Sequence, residues 1–343
     1  MSAIPIAIVK TGLVTSVGLT AASTCAALRA KLTNPSETRF IDSGGEWIMA
    51  HQVTLEQPWR GLTKLTKMAV MVIEEALASI TREEWCRIPL LLCVAEPERP
   101  GRQDGLDDQL FLSIQIELGV QFEPQSAIVA RGRVGVAVAM AQARTLLGQG
   151  KINRVLIAAT DSLVSWPTLS HYEREGRLLT ANNSNGFMPG EGAGALLVGK
   201  SDGSANELLC TGIGFARETA HLDSGEPLRA EGLSQAIKAA LTDAGSEMHH
   251  MDFRITDLSG EQYYFKEAAL ALSRTLRQRK EEFDIWHPAE STGEQGAVAG
   301  TAVIALADAA CRKAYTKGTN ILAHMANDAG QRAALTLQHR VAA

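Results

Sequence analysis

Residues 126–148, SAIVARGRVGVAVAMAQARTLLG, constrain the fold more than any other stretch. The apolar run Ala127-Ile128-Val129-Ala130 has the composition of a buried strand. A tight turn follows at Arg131-Gly132-Arg133-Val134-Gly135, and from Val136 an alanine-rich segment is long enough to be a helix packed on several sides. A strand that passes through a glycine turn into a buried helix is a place where enzymes hold a nucleophile. Free backbone N–H groups and the helix dipole favour negative charge there. In this chain the turn carries glycines and two arginines, with no serine or cysteine.

The pattern has an internal echo. Arg133-Val134-Gly135, helix, glycine and the strand Val155-Leu156-Ile157-Ala158 match Glu294-Gln295-Gly296, helix, glycine and Ile321-Leu322-Ala323. A pseudo-repeat of strands alternating with helices predicts an α/β chain with buried sheets, divided into halves at 1–200 and 207–343. Lys200–Asn206 (KSDGSAN), where the halves meet, has linker composition. Helices are expected over 21–31, 62–80 and 106–118. Strands are expected over 4–9 and 90–94, and 34–61 reads as irregular.

Bulk properties exclude several classes. At 343 residues, 45% hydrophobic and 21% charged, the composition is that of a soluble globular protein. A net charge of −5 opposes nucleic acid as the main partner. Cys25, Cys86, Cys93, Cys210 and Cys311 are scattered without a CxxC pair and read as buried thiols of a reducing compartment. No apolar run reaches the ~18 residues of a membrane span, and the N-terminus reads as a first strand, so a cytoplasmic location is expected. No cluster has metal-ligand spacing, and no cofactor motif is present.

Several segments resemble the ketosynthase branch of the thiolase superfamily. Thr11-Gly12 with Ser16 and Gly18 resembles the family's opening, and 62–78 its helix before the second core strand. Gly186-Phe187-Met188-Pro189-Gly190-Glu191-Gly192-Ala193-Gly194 is similar to its GFxxGEGAG box, and Gly293-Glu294-Gln295-Gly296-Ala297 to its GAAGA segment. The resemblance covers most of the chain in the right order. It implies a five-layer α-β-α-β-α thiolase-like fold of two pseudo-repeated halves, usually paired as a homodimer.

Condensing members of that family acylate a cysteine on the strand-to-helix turn and use two histidines beyond it. The resemblance puts the cysteine position on Gly132. It places His221, in Glu218-Thr219-Ala220-His221, on the first histidine and Ala289-Glu290 on the second. Ile285 stands for the usual lysine, with His287 three residues out of register. The gating GFGG turn reads Asn327-Asp328-Ala329-Gly330. With these positions altered, a competent Cys-His-His condensing enzyme is not expected.

Two readings follow. The first is a non-condensing binding, accessory or partner subunit, paired with a second copy or with an active ketosynthase. Its ligands would be an acyl-carrier protein or acyl-CoA, or it would assist a secretion effector. The second is an enzyme of altered chemistry, a non-covalent decarboxylase, hydrolase or acyl transferase, using His221 with Glu290 as general base. His221 is otherwise a structural histidine. Arg131 and Arg133 oppose the helix dipole, so a buried one needs an anion: Glu290 across the pocket, or a bound carboxylate or phosphate. The glycine box reads as close packing around a satisfied Glu191.

Overall fold

In a computed structural model that describes residues 4–341, the chain alternates strands and helices throughout. The first part runs β1 (Ile6–Val14), α1 (Ala21–Arg29), β2 (Ser36–Ile41), β3 (Trp47–Ala50), α2 (Gly61–Leu77), α3 (Arg82–Trp85), β4 (Leu90–Val94) and α4 (Gln109–Leu118). It continues through β5 (Ala127–Ala130), α5 (Gly135–Gly148), β6 (Arg154–Ser162), α6 (Trp166–Arg174) and β7 (Glu191–Lys200). The second part runs β8 (Glu207–Arg217), α7 (Glu231–Asp243), β9 (Phe253–Thr256), α8 (Gln262–Thr275), β10 (Ile285–Trp286), α9 (Ala289–Thr292), α10 (Ala299–Arg312), β11 (Asn320–Ala326) and β12 (Gln331–Arg340).

Ten strands form one sheet in the order β10-β9-β11-β12-β8-β1-β7-β6-β4-β5. Its two ends share a pattern. β5-β4-β6 and β10-β9-β11 are parallel, while β6-β7-β1 and β11-β12-β8 are antiparallel. Only the short pairing of Ile6, Ala7 and Ile8 with Cys210, Leu209 and Leu208 joins them. Each end is a five-strand sheet, and the two are connected along one edge.

Period-two alternation sorts the strand residues into layers. Val155, Ile157 and Ala159 of β6 face α5 and α10, as do Ile321, Ala323 and Met325 of β11. Leu156 and Ala158 face α2 and α4, and Leu322 faces α7 and α8. The succession is α2/α4, sheet, α5/α10, sheet, α7/α8: five layers of a thiolase-like fold. Both faces of each sheet are covered, which is why these strands read as continuous apolar runs.

Three local expectations need correction. Residues 34–61 include the hairpin β2–β3, whose polar SETRFI strand has the exposed face of a two-stranded ribbon and so lacks an apolar signature. The stretch with Trp166 and Pro167, whose polar composition reads as a connection, instead contains α6, capped by Ser165 with Pro167 in its first turn. The internal echo is also shifted by three residues. Single 3-10 turns at Gly132–Val134 and Gly296–Val298 lead into the 14-residue helices α5 and α10, so Gly132 corresponds to Gly296.

Candidate functional site

Where β5 meets α5, Gly132 has φ +51°, and where α9 meets α10, Gly296 has φ +56°. Each turn is built so that a carboxylate lies where a side chain would start. A Cβ on Gly132 would fall 1.9 Å from Glu96 Oε2, and one on Gly296 would fall 2.1 Å from Asp161 Oδ2. One buried guanidinium joins the two. Arg99 donates to Glu96 at 2.8 and 3.1 Å and to Asp161 at 3.3 Å. The Ala297 N–H, at the start of the second turn, also donates to Asp161 Oδ2 at 2.8 Å. The position that the resemblance gives to a thiolate is thus occupied by a carboxylate of the chain itself.

Arg133 points inward from the same turn. It donates to Glu294 at 3.1 Å and Asp328 at 2.8 Å, lies 3.9 Å from Asp257, and stacks over the Tyr264 ring at 4.4 Å. Arg177, just beyond α6, binds Glu261 through two bonds of 2.7 and 2.9 Å and reaches Asp328 at 2.8 Å. The Tyr264 hydroxyl donates to Asp328 as well. Three arginines and six carboxylates therefore fill the space in front of the two turns. The cavity that remains between Glu96, Arg133, Tyr172 and Asp328 is about 10 Å³, room for no more than about one water.

The electrostatics follow from burial and pairing. Burial opposes charge on Arg99 and Arg133, but the carboxylates around them outweigh it, and both stay protonated far beyond the ordinary range. Burial also opposes ionisation of Asp328, yet Arg133 and Arg177 hold its carboxyl well below its usual value. Arg99 outweighs burial at Glu96 in the same way. At Asp257 burial wins: Arg133, 3.9 Å away, and the Ala326 N–H offset it in part, nearby Glu294 adds to it, and the pKa is pushed up to about 7.

Of the residues singled out from sequence, Gly132 and Arg133 stand in this network. Arg131 is exposed. Glu290 is not the partner of either arginine. It lies on α9 with its side chain 57% exposed, 3.9 Å from His287, because α9 turns it toward solvent while Glu294, four residues on, faces inward. His221 packs beside Gly330, with its buried Nδ1 lacking a hydrogen-bond partner, and takes no part in the ionic contacts around Gly132. No hydrogen bond or ion pair joins His221 to Glu290 among the described residues. Glu191 of the glycine box accepts from Val53 N–H at 2.9 Å and Ser162 Oγ at 2.8 Å and pairs with Lys64, so it is a satisfied structural carboxylate.

Glu96, Arg99, Asp161, Arg177, Asp257 and Glu261 were missed from sequence. A positional signal existed. Glu96 follows β4, Asp161 lies near the end of β6, Asp257 follows β9 and Asp328 follows β11. All four are at carboxyl ends of parallel strands, where α/β folds gather functional groups.

The five layers, the two turns and the central helix pair together define the class: this is the thiolase-like fold of ketosynthases. Solved structures agree. The chain is similar to a type II polyketide-synthase complex of an acyl-carrier protein with its ketosynthase bound to the hexaketide (AntDE:AntF), with TM-score 0.82, 14% identity and coverage of 98% of this chain and 100% of that one. It is similar to the ishigamide ketosynthase/chain length factor, with TM-score 0.76, 19% identity and coverage of 98% and 99%. It is likewise similar to the ketosynthase ApeO in complex with its chain length factor ApeC from Xenorhabdus doucetiae, with TM-score 0.77, 13% identity and coverage of 98% of each chain. No protein-family model and no curated protein matches the sequence. Among the described residues no helix is long and apolar enough to cross a membrane, and no group of three or more His, Cys, Asp or Glu could hold a metal ion.

Proposed function

We infer that this protein is a non-condensing ketosynthase-like subunit that works by pairing with another chain of the same fold. The observation that carries the reading is the Glu96 carboxylate at Gly132. It takes the volume of a nucleophile's side chain, and Arg99, Arg133 and Arg177 with their carboxylates take the volume of an acyl group. A thioester has neither an attacking atom nor a place to lie. Ketosynthase complexes with chain length factors among the similar structures supply the precedent for partnership.

The surface offers a face for such a partner. β5 pairs only with β4 and leaves its outer edge open. Leu112 and Ile116, one helical turn apart on α4, are 56% and 80% exposed. Val138 and Ala141 of α5, with Phe215 of β8, line an open groove of about 650 Å³. Exposed apolar groups next to an open strand edge favour burial against a protein. The occupant that fits is a ketosynthase-fold chain, which presents the same edge and completes a continuous sheet. The protein would then serve its partner's carrier-bound substrate without acylating itself.

Co-expression with a type II ketosynthase, followed by light scattering on the eluted species, tests this. A one-to-one complex whose condensing activity needs the partner's cysteine is expected. A chain that stays monomeric both alone and beside that ketosynthase overturns the reading.

A further inference from the structure

Arg99, which lines the small cavity beside Arg133, also lines a second and larger one. It is a cavity of about 490 Å³ between the hairpin β2–β3, the start of α2, the loop after β4 and the start of α6. That size suits a small molecule. Five cations line it: Arg39, Arg60, Lys64, Arg99 and Arg102. Three are internally neutralised, Lys64 by Glu191, Arg99 by Glu96 and Asp161, and Arg102 by Asp107. Arg39 and Arg60 have no carboxylate partner among the described residues. The wall therefore keeps two unneutralised guanidiniums in a protein of net charge −5, and a concave site concentrates that field.

Two further features point the same way. α2 begins at the cavity with Arg60 in the N-cap position, no side-chain cap and no acidic residue in its first turn, so its unbonded N–H groups add to the positive potential. Three aromatic rings, Phe40, Trp59 and Trp166, also line the space. Phe40 and Trp166 sit 5.8 Å apart at 33°, and Arg39 lies over Phe40 at 5.0 Å. Trp166 is 49% exposed. An indole left open beside free guanidiniums is suited to stack a planar ring.

We propose that this cavity binds a small anion that carries a planar ring, with Arg39 and Arg60 taking the phosphate or carboxylate and Trp166 stacking the ring. The cavity touches the core network through Arg99 and Asp161, which line both.

Calorimetric titration of the full chain with adenosine monophosphate, 4-nitrophenyl phosphate and 4-hydroxybenzoate tests the proposal, with adenosine and inorganic phosphate as half-ligands. At least one ring-bearing anion is expected to bind about tenfold or more tighter than its half-ligands, since a guanidinium–oxyanion contact and a stacked ring each contribute on that order. Affinity should fall with added salt. R60E and W166A are both at exposed positions, so the free variants should melt like the wild type while losing about tenfold or more in affinity. Absence of binding by all three ring-bearing anions overturns the proposal, and so does binding that R60E and W166A leave unchanged. Phosphate binding as tightly as the ring-bearing ligands removes the stacking role and overturns it equally. None of these outcomes depends on dimer formation, so failure here and failure of the subunit reading are separable.

Discussion

The turns at Gly132 and Gly296 solve one geometric problem with different hardware. Both glycines adopt left-handed backbone, both open a single 3-10 turn that leads into a 14-residue central helix, and both abut a carboxylate held by Arg99. At the second turn the carboxylate is locked. Asp161 accepts from the Ala297 and Ser162 N–H groups as well as from Arg99. At the first turn Glu96 is held only by Arg99, keeps 12% of its side chain accessible, and the next residue is Arg133 in place of Ala297. The first turn is a charged knot, while the second keeps a fixed backbone-to-carboxylate contact. Two turns of the same backbone geometry thus carry different ionic partners.

The hub that the two turns share should be the most costly to remove. Arg99→Met leaves Glu96 and Asp161 buried without their cation, and a loss of about 3–5 kcal/mol in chemical denaturation is expected. A loss no greater than that of a surface substitution would mean the two turns are not coupled through Arg99.

The glycines come next and separate the halves. Gly296→Ala forces a methyl group against the fixed Asp161, on top of left-handed strain of about 1–3 kcal/mol for a non-glycine residue. Gly132→Ala carries the same backbone strain, but Glu96 can swing toward solvent. Melting curves should rank Gly296→Ala below Gly132→Ala, and the reverse order would break the comparison.

The pH response is smaller and is led by Asp257, which faces Arg133 of the first turn. The Asp257 carboxyl is raised from 3.8 to about 7 by burial. The folded state therefore binds its proton more tightly than the unfolded state. The stability this provides is fully present below about pH 4, declines as pH rises through about 7, and is flat above that. Asp257→Asn should remove that decline, so that the variant gains on the wild type between pH 4 and 8 when melting is followed across that range. Glu96 and Asp328 have the opposite sign, with their contribution lost as pH falls below the ordinary carboxylate range. The smallest effect is that of Glu290→Ala. It is exposed and outside the knot, and it should change stability by about 0.5 kcal/mol or less.

Fold and site were legible in the sequence to different degrees. Buried strands such as 90–94 and the central helix at 135–148 are visible because a two-sided apolar environment leaves a continuous apolar run. The exposed hairpin β2–β3 leaves no such trace. Gly132 could be read from the strand-turn-helix pattern, and the need of Arg133 for an anion from the cost of burying a charge. The identity of that anion could not. Glu290 and Glu294 differ by four residues, and only the turn from α9 into the 3-10 segment decides which one faces inward. Arg99 and Arg177 lie in loops, where side-chain direction is set by tertiary contacts and has no period to read.

Intact-mass spectrometry of the protein after incubation with acyl-CoA and with acyl-carrier protein tests the closed turn most directly. With Glu96 at Gly132 and the arginines paired around it, the mass should be unchanged with either donor. An acyl adduct that maps to the residues around Gly132 would contradict the account.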